Sequence, residues 1–217
     1  LRYGFFTVLL PVLAAIVVLI AYQSWKSEMT SSATVRLTPA GYDLTYTVEW
    51  GWGMDEKFSL VREGEWLAGP SSGWMEIWKR PYNSGLALYR AADDGTYYLG
   101  LGYKFFTFEP STGVLKSDCN AEALPTRTPL GLRLLDLNLN RTEREAADPG
   151  AQDRFGYVEP DQGGPLPSAP PVSKYYTNLV YLGKFGLTRA KGRGGPAEFV
   201  PANKGAETRL GLEPFCG

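Results

Sequence analysis

Three carboxylate groupings, Asp93-Asp94, Asp55-Glu56 and Glu63 with Glu65, are the residues of this 217-residue chain whose types suit general acid-base or metal chemistry. Such work needs carboxylates that converge on one point. Neighbours on a strand point to opposite faces, and Asp93-Asp94 leads into Gly95 as a tight reversal does, so structural use is the expectation for these acids. Histidine is absent altogether. That removes Ser-His-Asp and Cys-His catalysis, histidine-ligated haem and the common zinc sites. The glycine clusters Gly100-Leu101-Gly102 and Gly192-Arg193-Gly194-Gly195 fit neither the dinucleotide nor the P-loop spacing. The expectation is no catalytic residue, no cofactor and no metal.

Cys119 and Cys216 lie far apart and fit no Cys-x-x-Cys spacing. They are expected to form a disulfide on a non-cytosolic side, fixing the tail and contributing on the order of 4–5 kcal/mol in the chain-entropy model. Two buried thiols are the alternative. Formal net charge is −1, and no aromatic motif interleaved with Lys and Arg is present, so nucleic acid is not an expected partner. Charge is nevertheless separated: residues 136–161 carry seven acids against three bases, and residues 174–217 seven bases against three acids. Neutralisation across surface loops is the simpler account. The sharper one makes Arg189, Lys191 and Arg193 a contact for anionic lipid headgroups or an acidic partner.

These residues are all cargo on one stretch. From Tyr3 to Trp25 there is no charged side chain, and as a helix that run is roughly 35 Å long, enough to cross a hydrocarbon core of about 30 Å. Tyr3 at one end and Tyr22 and Trp25 at the other suit the headgroup level, so membrane lipid is the first expected partner. Pro11 is tolerable in a span. A cleaved secretory signal has a shorter apolar region and a small-x-small site, which Ala21-Tyr22-Gln23 does not supply. The flanking charges barely decide orientation; the cysteines favour placing the C-terminal domain on the periplasmic or otherwise non-cytosolic side.

The remainder is β-patterned. In residues 42–50, YDLTYTVEW, Tyr42, Leu44, Tyr46, Val48 and Trp50 share one face. Short runs then alternate with Gly, Pro, Asn and Ser, and Asp93-Asp94-Gly95 and Pro110-Ser111-Thr112-Gly113 are hairpin signatures. LGLRLLDLNLN, residues 130–140, suits a bulged strand, with a helix left open. The expected division is an anchor at 1–26, a hydrated tether at 27–33, a β-rich domain at 34–149, a Pro/Gly-rich arm at 150–173, and a strand with a basic Gly/Pro tail at 174–217. The fold class is a single N-terminal transmembrane helix plus a mainly-β extramembrane domain, an antiparallel meander or sandwich with a long arm and tail.

The outline resembles type I signal peptidases, which hang a β-rich domain on N-terminal spans and use a Ser-Lys pair. Ser27-Glu28-Met29 and Lys79-Arg80-Pro81 are the segments nearest to that family's serine and lysine boxes. The Ser-Met-x-Pro and Gly-Asp-x-x pieces are missing, so no catalytic pair carries over. The abundant aromatic residues instead suggest binding surface, with Trp74 and Trp78 as expected anchors. A non-catalytic accessory or assembly subunit of a larger membrane complex, for energy transduction or transport, is the leading expectation. A free-standing envelope binding protein with an aromatic β surface is the alternative, and a membrane-anchored Ser/Lys hydrolase a remote one.

Overall fold

The computed structural model describes residues 2–51, 53–65, 69–77, 84–100, 104–118, 157–174, 176, 178–189 and 194–208, with the side chains of 2–9 and 105 left aside. Among the described residues one helix, α1 (Arg2–Glu28), precedes ten strands. Its side chains from Leu10 onward are almost all exposed, and its apolar residues encircle it without a polar face. A soluble helix buries a stripe. This one is long and apolar enough to cross a membrane.

The strands are β1 (Thr30–Leu37), β2 (Tyr42–Trp50), β3 (Met54–Arg62), β4 (Met75–Glu76), β5 (Leu86–Ala91), β6 (Tyr97–Gly100), β7 (Phe105–Glu109), β8 (Val114–Asp118), β9 (Leu179–Arg189) and β10 (Gly194–Pro201). They form two antiparallel sheets, ordered β1-β2-β3-β4 and β10-β9-β5-β6-β7-β8. Period-two alternation decides what each strand buries. Tyr42, Leu44, Tyr46 and Val48 of β2 point inward, as do Met54, Phe58 and Leu60 of β3. They meet Leu86, Leu88, Tyr97, Leu99, Phe106, Phe108, Phe185 and Leu187 of the second sheet in one shared core. Edge-to-face rings lock the layers together, Tyr42 on Phe108 at 4.8 Å and Phe58 on Phe106 at 4.9 Å. The sheets draw together beside β1 and β10, where the Ala197 amide donates to Ser31 Oγ at 2.7 Å.

Both expected hairpins form. Gly95 closes β5–β6 and Gly113 closes β7–β8, each with positive φ. One expectation fails. Residues 27–33 are no hydrated tether: α1 runs to Glu28, and β1 starts at Thr30 because its Thr and Ser residues pair with β2 in continuous register from Thr30↔Glu49 to Leu37↔Tyr42. The basic Gly/Pro tail joins the second sheet. β10 pairs with β9 and buries Phe199 and Val200, and residues 202–208 continue over the outer face of the second sheet.

That outer face holds a second apolar cluster, with Ala87, Tyr89, Ala91, Tyr98, Tyr176, Leu179 and Tyr181. The arm and tail cover it through hydrogen bonds from the amides of Tyr181 to Pro171, Ser173 to Leu179 and Ala202 to Leu182. The Pro/Gly-rich arm thus follows the sheet without becoming a long strand, touching it by isolated bridges at Val158↔Thr188 and Val172↔Val180.

Candidate functional site

Strand register gives the β domain two ends. β1 leaves α1 and β2 returns to it, so the Trp50–Met54 turn is proximal to the helix. Ring contact between Tyr46 and Phe185, and the Ser31–Ala197 bond near Leu187, place the Arg189 end of β9 and the start of β10 at this same end. The β5–β6, β7–β8 and β1–β2 turns gather at the opposite, distal end, with Tyr42 against Phe108.

At the proximal end the helix is fastened. Only Met29 separates α1 from β1; its amide donates to the Trp25 and Lys26 carbonyls, and its own carbonyl accepts from the Trp50 amide at 2.7 Å. Lys26 Nζ lies 3.7 Å from Glu49 Oε1. Tyr22 and Trp25 are brought together on α1, exposed, with rings 6.2 Å apart. Arg189 is exposed at this end, its guanidinium over the Tyr157 ring at 5.4 Å. Trp74 sits on the outer wall of the first sheet, 47% exposed, with Lys57 Nζ 4.4 Å above its ring. Trp78, Lys191, Arg193, Cys119 and Cys216 lie outside the described residues, as do the side chain of Tyr3 and segment 130–140.

The carboxylate groupings do not converge. Asp93 and Asp94 cap backbone amides of Asp94 and Thr96 in the β5–β6 turn. Glu63 accepts from Arg36, which also holds Asp43 in a bidentate pair. Among the described residues no group of three His, Cys, Asp or Glu side chains could hold a metal.

Glu56 is the exception among the acids, because it is wholly buried between the sheets while Asp55 faces outward. Tyr46 Oη donates to Glu56 Oε2 at 2.6 Å and the Gly85 amide donates to the same oxygen at 3.1 Å. Oε1 has no hydrogen-bond partner. Burial pushes this carboxyl up to about 8, against the opposing pull of those two donors, so it stands protonated at neutral pH. The same burial drives the Tyr46 phenol well above its ordinary range. Its position was readable from Met54, Glu56, Phe58 and Leu60 sharing one parity.

Distally, a cleft of about 260 Å³ is lined by Arg90, Tyr97, Pro39, Ala40, Pro110 and Ser111 together with the β5–β6 turn. Arg90 shares its parity with Leu86 and Leu88, so it stands on the core-facing side of β5 at the mouth between the sheets. In the sequence Arg90 is marked only by the parity it shares with Leu86 and Leu88, a signal no motif reinforces. Comparison with protein-family models, with curated proteins and with solved structures returns no match.

Proposed function

We propose that this chain is a single-pass membrane protein whose β domain is held against the bilayer surface, and that it serves as a non-catalytic accessory or assembly subunit of a larger membrane complex. The observation that carries the reading is the junction between α1 and β1. A helix apolar around its whole circumference requires lipid or another chain as cover. It passes into the sheet through one residue that is hydrogen-bonded on both sides, so the domain has no slack with which to search at a distance. A tethered receptor needs such slack; a subunit that presents a fixed face to membrane neighbours does not.

Further support comes from the surface chemistry. Trp25, Arg189, and Trp74 stacked under Lys57 offer aromatic and cationic groups on the helix-proximal part of the molecule and its side wall. Such groups suit headgroups and the flanks of neighbouring subunits. The same proposal puts the domain on the periplasmic or otherwise non-cytosolic side, where Cys119 and Cys216 are proposed to form a disulfide.

The test is isolation of the tagged full chain from its native membrane in a mild detergent, after in-membrane crosslinking. Defined membrane proteins in fixed ratio are expected to accompany it, and Trp74→Ala is expected to reduce their recovery. Migration as a bare monomer under both conditions would overturn the subunit reading in favour of a free-standing binding protein.

A further inference from the structure

We propose that the distal cleft between the sheets is a binding site for a small organic acid, one carboxylate on a short apolar body. Two polar groups at the mouth of the core are left without the partners their burial calls for. Arg90 faces inward, half-buried, its guanidinium beside the Tyr97 hydroxyl, and makes no ion pair among the described residues; Nη1 reaches the Thr38 carbonyl at a long 3.5 Å. Tyr97 stands opposite it in register on β6 and is 1% exposed, yet no atom meets hydrogen-bond geometry with its hydroxyl. A buried hydroxyl without an acceptor is costly alone, and the half-buried guanidinium beside it faces no anion among the described residues. One carboxylate placed between them satisfies both, accepting from the guanidinium and from the phenol.

The shape of the cleft narrows the ligand. Its volume of about 260 Å³ lies just under the usual small-molecule range. Beyond Arg90 and Tyr97 the lining is largely apolar, with Pro39, Ala40, Ala91 and Pro110. Asp94 at the rim, its Oδ1 held by the Thr96 amide, adds repulsion that a dianion feels twice and a monoanion once. Burial also holds the Tyr97 phenol above its ordinary pKa, although Arg90 beside it pulls the other way, and the group therefore remains a donor at neutral pH. The site is independent of how the chain assembles with other subunits.

The experiment uses the full chain in lipid nanodiscs, titrated separately with butyrate, benzoate, inorganic phosphate and butylamine, with binding followed by ligand-observed magnetic resonance and calorimetry. Saturable binding of at least one of the two carboxylates is expected, weakened tenfold or more by Arg90→Gln and by Tyr97→Phe. The Tyr97→Phe variant loses one oxygen and keeps the ring on Phe108, so its fold is checked by an unchanged circular dichroism melt; Arg90→Lys, which keeps the charge and loses the fork, serves where Arg90→Gln fails to fold. No saturable carboxylate binding up to about 10 mM, binding unchanged in both variants, or phosphate or butylamine binding as well as the carboxylates would overturn the assignment.

Discussion

Glu56 is the residue whose chemistry differs most from what its type predicts. Its carboxyl keeps its proton in the folded protein up to about pH 8, because ionisation would leave a charge between two apolar layers with only the Tyr46 hydroxyl and the Gly85 amide to meet it. In the unfolded chain the same group ionises near the ordinary carboxylate value. The folded state therefore binds the extra proton between those two values, and stability falls as pH rises through that window. The contribution is fully present in acid below the unfolded pKa and is lost progressively toward pH 8, with a ceiling on the order of 4–5 kcal/mol. Glu56→Gln keeps an acceptor for Tyr46 and Gly85 and cannot ionise, so its melting temperature is expected to be flatter between pH 5 and pH 8 (a window set by the two pKa values). Parallel pH profiles for the two proteins would refute this account. Arg90, a second polar side chain with core-side parity, poses the matching problem for a cation at the mouth between the sheets.

At the scale of elements, the second sheet depends on a clamp that no local pattern announces. Glu207, in the tail beyond β10, accepts from Tyr89 Oη at 3.1 Å, from Ser173 Oγ at 2.5 Å and from the Lys174 amide at 2.9 Å. The Thr208 carbonyl, at 2.6 Å, shares the single Tyr89 hydroxyl proton with that carboxylate. One carboxylate thus ties tail, arm and β5 together over the tyrosine cluster. Glu207→Ala is expected to cost about 2 kcal/mol and to expose the tail to limited proteolysis while the core between the sheets stays intact. A variant with wild-type melting and an uncut tail would remove the clamp from consideration. The alternation of β2 and both turn signatures were legible because each is encoded within a few neighbouring residues. The clamp and the insertion of β9 beside β5 were not, because they join residues widely separated along the chain and rest on complementarity rather than periodicity. Gly194 and Gly195 of the Gly/Pro tail allow close approach to Leu187 and Thr188 of β9. Likewise the serines and threonines of 27–33 suggested hydration, whereas pairing with β2 outweighs their polarity.

For the whole molecule, the fastening of α1 to the sheet converts a sequence feature into an orientation. If α1 spans the bilayer, Lys26 and Trp25 lie at the headgroup level, and Met29 leaves no length of chain for the domain to drift. The Trp50–Met54 turn then faces the lipid surface, and the β5–β6 turn stands one strand length away, roughly 30 Å for the nine residues of β2. The organic-acid cleft accordingly opens away from the membrane, into the compartment the domain occupies. Nitroxide labels at Gly51→Cys and Asp93→Cys, in a background with Cys119 and Cys216 replaced by serine, report this directly in nanodiscs bearing a nickel-chelating headgroup. The Gly51→Cys site has open space around its Cβ, so its label is expected to relax strongly with headgroup nickel, and the label at Asp93→Cys only weakly. Equal relaxation at the two sites would mean that the domain lies on its side or swings freely, and would break the link from the junction to a fixed membrane-facing end. Inserting Gly-Gly-Ser after Met29 supplies the control, since loosening that junction is expected to weaken the contrast without disturbing either sheet.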